Sequence, residues 1–274
     1  MAGAFQEIDG FRCYAPELAQ SHADYPSEGF DVTAEVEARS FWCRARSRVL
    51  RRVFERFIDR TRPVDLLEIG CGTGYVLKEL SALSNLRLTG SEIYLQGLRY
   101  ARKTVPGVTF IQLDATEIPF RGEFDVVGAF DVLEHIANDR KVIDEVKHAL
   151  RPGGAFVITV PQYQWMWSRL DEVVEHKRRY SRRDLVAKLE GAGFTIRYIT
   201  SFITLLFPLM VVSRLLTSRR RPDGDTRSEF ASEVTIPSPL NWVFDKIARV
   251  DEALLSAGLT LRFGGSLLVV GIKR

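Results

Sequence analysis

The sequence predicts an α/β fold, a Rossmann-like, doubly wound and mostly parallel sheet of seven strands. Short apolar runs alternate with amphipathic stretches from Val64 to Val160. A glycine cluster, Gly70, Gly72 and Gly74, follows the first of those runs directly. The run Phe124 to Phe130 is apolar at almost every position, as a strand buried on both faces requires.

Residues 1 to about 30 are irregular in pattern, broken by Pro16, Pro26 and Gly29. From Asp31 to about residue 60 the pattern turns helical: Val36, Phe41, Trp42, Val49, Leu50, Val53, Phe54 and Phe57 recur at helical spacing. Arg44, Arg46, Arg48, Arg51 and Arg52 lie between them. The plain reading is an amphipathic helix with a solvated basic face; a binding role is the alternative. Pro63 ends the segment. Val64 to Ile69 is the first strand, Tyr75 to Leu83 a helix, Leu86 to Gly90 the second strand and Leu95 to Lys103 a helix. Val108 to Leu113 and Phe124 to Phe130 are the third and fourth strands. Asp139 to Leu150 is a helix stopped by Pro152-Gly153-Gly154, and Ala155 to Val160 is the fifth strand. A helix at Arg182 to Glu190 and strands at Phe194 to Ser201 and Ser266 to Ile272 complete the sheet. Between those last two strands stand an apolar block (Phe202 to Leu216), a polar tract (Ser218 to about Glu233) composed like a loop, and a helix near Leu240 to Ser256. The expected division is a helical N-terminal extension (1–60), a sheet domain (61–201), an insertion (202–262) and a closing strand (263–274).

Composition narrows the partners. The 274 residues suit one large α/β domain carrying an insertion. A net charge of +3 does not single out nucleic acid, and none is expected as a partner. Cys13, Cys43 and Cys71 are odd in number and far apart, with no CxxC pair. That supports neither a disulfide framework nor a zinc ribbon and suggests a cytoplasmic setting. No apolar run follows a basic head, and none reaches the roughly 18 residues of a spanning helix. No His, Cys, Asp or Glu group has metal-ligand spacing, so no metal is expected.

The sharpest motif is Glu68-Ile69-Gly70-Cys71-Gly72-Thr73-Gly74, between the first strand and first helix. Glycines there let the backbone turn tightly and approach a ligand closely. A dinucleotide fingerprint would place its third glycine where Tyr75 stands, and no Lys-Ser/Thr pair follows to make a phosphate loop. A ligand without phosphates fits better. Glu92, with Ile93 after it, closes the second strand, where a carboxylate can accept from two ribose hydroxyls. Asp114, before Ala115, ends the third strand and can take an adenine amino group; the plainer reading is a turn or cap aspartate.

LLEIGCGTG, TGSEI, FIQLDA, FDVVGAFDVLEHI and LRPGGAFVITVP stand in the order of the successive motifs of class I S-adenosylmethionine (SAM)-dependent methyltransferases. The sequence resembles that family over residues 64 to 160. The resemblance implies SAM as cofactor, held by Glu68, Gly70, Cys71, Gly72, Thr73, Gly74, Glu92, Ile93, Asp114 and Ala115. It implies that Glu68 supports the loop and the methionine end, and that Phe130 to His135, Leu133 included, flanks cofactor and acceptor. Three shorter segments, FWCRARSRVL, WSRLDEVVEHKRRYSRRDL and FGGSLLVVGIKR, are similar to bacterial methyltransferases of glycan or lipid assembly. That likeness implies a small-molecule acceptor: a sugar, a lipid-linked saccharide or a lipid-like metabolite.

Methyl transfer from a sulfonium is an in-line displacement, in which protein supplies alignment and desolvation. A hydroxyl acceptor also loses a proton, for which a base near pKa 7 is suited. Of the four histidines, His148 lies on a helix and His22 in the irregular N-terminus. His135, after the fourth strand, is the first candidate base, or else orients a loop. His176, after the fifth, is the second, or else sits in a solvated loop. Tyr163, Trp165 and Trp167 either wall a substrate or belong to the core of the insertion. Arg178, Arg179 and Tyr180 either contact a phosphate or carboxylate of the acceptor or form a solvated face. The apolar block with Arg214 and Arg219 to Arg221 offers a peripheral membrane contact through 202–221; a helix packed on the domain or against the second subunit of a homodimer is the alternative. Two other functions stay open: a SAM-binding module without catalysis, and a nucleic-acid methyltransferase, which only the arginine-rich helix favours.

Overall fold

A computed structural model describes residues 3–19, 29–217 and 236–274. His22, Arg219 to Arg221 and the polar tract expected at 218–233 lie outside the described residues.

The chain begins with β1 (Gln6–Ile8), β2 (Phe11–Cys13), α1 (Gly29–Val36) and α2 (Phe41–Phe57). The alternating part follows: β3 (Val64–Ile69), α3 (Tyr75–Leu80), β4 (Leu86–Glu92), α4 (Leu95–Thr104), β5 (Thr109–Gln112), β6 (Phe124–Phe130), α5 (Asp139–Ala149) and β7 (Leu150–Pro161). Then come α6 (Arg169–Val173), α7 (Arg182–Gly191), β8 (Phe194–Phe202), α8 (Phe207–Thr217), α9 (Ser238–Ser256) and β9 (Ser266–Lys273).

The nine strands among the described residues form one sheet in the order β1-β2-β5-β4-β3-β6-β7-β9-β8. The expected seven are corrected to nine, because Gln6 to Cys13 folds as a hairpin on the β5 edge. Asp9 and Gly10, with φ of 53° and 74°, supply the two positive-φ residues of its tight turn. Gln112 then holds the chain leaving β2, accepting from the Ala15 N–H at 3.0 Å and donating to the Ala15 carbonyl at 2.7 Å. The sheet is mixed: β1 with β2, and β9 with both β7 and β8, pair antiparallel, and the other pairs are parallel.

The β6 run is buried at every position, as its composition demands. The start of β7 differs from expectation. Leu150 already pairs with Phe124 and Ala155 with Val126, so Arg151 to Gly154 loop out of the ladder. Gly153, at φ 73°, allows that excursion. Two apolar cores cover the faces of the sheet, one under α2, α3, α4 and α9 and one under α5 and α7. The second is fixed by capped helices: Asn138 accepts from the Lys141 N–H at the start of α5, and Ser181 from the Asp184 N–H at α7.

Part of the basic face expected on the arginine-rich helix α2 is taken up by α9, while Arg52 and Arg56 stay exposed. Arg48 meets Glu252 at 2.6 Å and Asp245 at 3.0 Å, and Arg44 meets Asp245 at 3.3 Å, both acids on α9. These pairs hold the segment between β8 and β9 against the N-terminal helix. Arg46 points the other way, inward.

Candidate functional site

The carboxyl ends of β3, β4 and β6 meet where the strand order reverses, the position at which open α/β sheets place ligands. The glycine loop crosses this crest. Gly70, Gly72 and Gly74 adopt φ of 64°, 51° and 80°, a region unfavourable to side chains. Gly70 is also sterically required, since a Cβ there would stand 2.6 Å from Val132 Cγ2. Gly74 lets the loop approach α4, its notional Cβ lying 3.0 Å from Ala101 Cα. The Cys71 N–H donates to the Ser91 carbonyl at 2.8 Å, tying the loop to β4. The Glu92 carboxylate accepts from the Gly72 N–H at 3.0 Å and the Ile93 N–H at 2.8 Å. Burial raises its carboxyl above the ordinary range despite these donors.

Behind the loop, Glu68 is buried and its Oε2 accepts no hydrogen bond among the described residues. Burial pushes its carboxyl well up, and nearby Arg46 offsets only part of that. The Thr73 hydroxyl donates to Glu37, which follows α1. Arg46, 8% exposed, donates to Asp131 Oδ2 at 2.7 Å and lies over the Trp42 ring at 4.8 Å. Its Nε has no partner among the described residues. Asp131 itself has φ of 59° and accepts from the Thr159 hydroxyl at 3.2 Å. Sequence reasoning singled out neither Glu37 nor Arg46 for this site, and named Asp131 only within the Phe130 to His135 segment. A signal existed for Arg46, which falls on the same helical stripe as Trp42, Val49 and Val53.

The other expected cofactor residues divide. Asp114 turns its carboxylate onto Thr116, accepting from its N–H at 2.7 Å and its hydroxyl at 2.9 Å, the turn role. Ile93 and Ala115 are half-buried beside the crest strands. Phe130 and Leu133 are core residues; Leu133 has no exposed surface to offer a ligand.

Beyond the crest, the turn after β6 and the segment after β7 pack on each other. The Lys177 N–H donates to the Glu134 carbonyl at 2.7 Å, and the Tyr180 hydroxyl to the Leu133 carbonyl at 3.3 Å. The two candidate histidines meet there, His135 and His176 ring centroids standing 4.6 Å apart, edge to face. His176 Nδ1 lies 2.8 Å from Asp171 Oδ1, and its Nε2 3.9 Å from Glu134 Oε1. Asp171 is clamped in turn by Arg179 at 2.8 and 3.0 Å and by Ser168 at 2.8 and 2.9 Å. Burial, then the neighbouring His176 and Lys177, push His135 down to about 3. It is therefore neutral and weakly basic, which corrects the expectation of a base tuned near 7. Spacing alone predicts no metal, yet folding gathers Glu134, His135 and His176, whose ligand atoms all lie within 4.8 Å of one another.

Three residues expected to contact the acceptor are turned inward instead. Arg179 is spent on Asp171, and Arg178 on the Ala137 carbonyl at 2.7 Å and Asp139 at 3.0 Å. Tyr180 is fully buried, its hydroxyl donating to Asp139 at 2.6 Å. Tyr163 stacks on Trp165 at 5.5 Å, and Phe207 of α8 packs against both rings. Trp165 stays 62% exposed, and Trp167 is half-buried.

A model of the methyltransferase-domain family matches residues 39–199. A Mycolicibacterium smegmatis protein described as a probable S-adenosylmethionine-dependent methyltransferase is 28% identical over 174 residues, covering 62% of this chain and 66% of that protein. The O-methyltransferase cnsE of Penicillium expansum is 32% identical over 100 residues, covering 34% of this chain and 36% of that protein. The chain thus spans less than two thirds of the length of either curated relative. The methyltransferase of a Haloferax volcanii complex with the Trm112 activator shares the fold, with a TM-score of 0.59 at 18% identity over 89% of this chain and 96% of that one. Among the described residues, no helix is long and apolar enough to cross a membrane.

Proposed function

The chain belongs to the methyltransferase-domain family, and we propose that it transfers the methyl group of SAM to a hydroxyl of a small molecule: a sugar, a lipid-linked saccharide or a lipid-like metabolite. The observation that carries this reading is the packing of the glycine loop, at Gly70, against Val132 of the turn after β6, the same turn that brings Glu134 and His135 to His176.

The residues present fit SAM. Among the described residues, Glu68 Oε2 and Arg46 Nε are buried polar atoms without hydrogen-bond partners, one an acceptor and one a donor, beside the loop. They complement the α-ammonium and α-carboxylate of its methionine end. The notional Cβ of Gly72 meets nothing within 4 Å among the described residues, which leave the crest open at that point. Glu92 retains lone pairs for ribose hydroxyls beyond those taken by Gly72 and Ile93. Asp114 stands at the adenine end, its carboxylate shared with Thr116. When bound, SAM supplies a methyl group on a sulfonium, which an aligned nucleophile displaces. The chain orients the acceptor and eases loss of its proton at the histidine cluster, where Asp171 turns His176 Nε2 toward Glu134. Tyr163, Trp165 and Phe207 support an acceptor wall joined to the 202–262 insertion.

Calorimetric titration of SAM and S-adenosylhomocysteine into the wild type and Glu92→Ala tests the cofactor half. Micromolar binding, sharply weakened by the substitution, is expected. A panel of hydroxylated sugars and lipid precursors, read by S-adenosylhomocysteine release, tests the acceptor half. Binding without turnover on any acceptor would favour a module that holds SAM without catalysis.

A further inference from the structure

We propose that Glu134, His135 and His176 form a binding site for one divalent transition-metal ion, which holds the acceptor hydroxyl beside the crest. The metal's task rests on the methyltransferase reading above; its presence does not.

Two imidazoles and one carboxylate are a ligand set that suits zinc, cobalt or iron and leaves coordination positions open for an exogenous oxygen. Their donor atoms already lie within 4.8 Å of one another, with His176 Nε2 and Glu134 Oε1 at 3.9 Å. Contraction by about 1 Å, of the order that side-chain rotation supplies, would bring such atoms to the spacing of ligands bound at about 2.0 to 2.2 Å.

Two further observations separate this cluster from a chance meeting. First, Glu134 has no exposed surface, and neither carboxylate oxygen accepts a hydrogen bond among the described residues. A buried carboxylate without donors is costly, and a cation against it removes the cost. Second, His176 carries the outer support typical of a metal-binding histidine. Its Nδ1 faces Asp171 at 2.8 Å, which fixes the tautomer and presents the Nε2 lone pair to Glu134. Asp171 is itself immobilised by Arg179 and Ser168, so the ring is oriented before any ligand arrives. A simple acid–base pair would need neither a second histidine nor a donor-free carboxylate at the same point.

An ion there would polarise a coordinated acceptor hydroxyl and ease loss of its proton to solvent. The C–O bond then forms as the C–S bond breaks, giving the methyl ether and S-adenosylhomocysteine.

The test needs no acceptor. The full chain is stripped with chelator and titrated with Co²⁺, following its visible d–d absorption, and with Zn²⁺, measured by elemental analysis after gel filtration. One ion per chain is expected. Glu134→Gln and His176→Ala should abolish stoichiometric uptake, and Asp171→Asn should weaken it about 10- to 100-fold, as loss of outer support does. Far-ultraviolet circular dichroism and SAM calorimetry on each preparation establish that the variants fold. No stoichiometric uptake by the wild type, or uptake unchanged in folded His176→Ala, overturns the metal site. Metal uptake with no SAM binding overturns the methyltransferase reading and leaves the site standing.

Discussion

Arg46 is the residue whose removal should be felt most widely, because three parts of the molecule depend on one guanidinium. It joins α2 to Asp131 at 2.7 Å, with both side chains largely buried at 10% and 14% exposure. At that distance and an effective dielectric of about 20, the attraction is about 6 kcal/mol before desolvation is subtracted. Removing one partner of such a pair costs about 3 to 5 kcal/mol, since the other charge is left buried. Here the orphaned group is Asp131, already at φ 59°, a conformation worth about 1 to 3 kcal/mol of strain that its neighbours must hold. Arg46→Met keeps an unbranched apolar stem of lesser length and deletes both the charge and the guanidinium that lies over Trp42. For a domain of this size each kcal/mol lowers the melting temperature by about 2 to 4 °C, so a fall of roughly 6 to 20 °C is expected. Arg46→Lys should recover only part of it, because an ammonium cannot stack on Trp42 and bond Asp131 in one plane. Calorimetric melts of Arg46→Met, Asp131→Asn and the double variant give the coupling directly. Strict additivity, with SAM affinity unchanged in Arg46→Met, would refute both the pair and the placing of the methionine end.

Gly70→Ala must adopt a left-handed φ at about 1 to 2 kcal/mol and push Val132 aside, so both stability and SAM affinity should fall; a variant as stable as the wild type would show that the loop relaxes freely. Asp125 gives a pH signature. Burial pushes its carboxyl up, but the Asp65 N–H, Arg62 and Arg151 outweigh burial and hold it below the ordinary range. Stability from this group is therefore complete above about pH 4 and lost as pH falls through the lowered value. Asp125→Asn should flatten the acid limb of a melting-temperature scan, and an unaltered slope would contradict the assignment. The exposed Leu209, Val212 and Leu215 of α8 support a peripheral membrane contact through 202–221. Sedimentation with anionic vesicles at low salt, reversed at high salt, is expected; protein left in the supernatant as a dimer assigns the face to a second copy.

What the sequence made legible was whatever local period and local chemistry encode. The β6 run, the glycine loop and Glu92 at the end of β4 stand where their patterns put them. The N-terminal hairpin was also encoded, by Asp9-Gly10 between Gln6 to Ile8 and Phe11 to Cys13, but three-residue strands carry too little period to outweigh an irregular context. The Arg151 to Gly154 excursion hid the true start of β7, because Pro152-Gly153-Gly154 reads as a break whether or not pairing resumes across it. Long-range pairing was the larger loss. The arginines of α2 looked like a basic face because Asp245 and Glu252, which neutralise Arg44 and Arg48, lie some two hundred residues away. Arg178 looked available for a related reason, since Asp139 stands on another element, whereas the Asp171 that takes Arg179 lies only eight residues before it and is brought beneath it by the turn after α6.

The turn Asp131 to His135 is where these separate features become one device. Asp131 anchors Arg46 of the N-terminal helix, and Val132 sets the clearance that forbids a side chain at Gly70. The carbonyls of Leu133 and Glu134 receive Tyr180 and Lys177 from the segment after β7, and Glu134 with His135 faces His176. The glycine loop, the N-terminal helix and the histidine cluster are thus braced against five consecutive residues at the end of one fully buried strand. The strand before this turn is buried at every position, so changes at Gly70 or Arg46 and at the histidine cluster share one closely packed support. Residues sharing such a support couple by about 0.5 to 3 kcal/mol. If the crest holds SAM as proposed, saturating SAM should alter the histidine signals of the folded chain with no acceptor present, and unchanged signals would show that the two regions are independent.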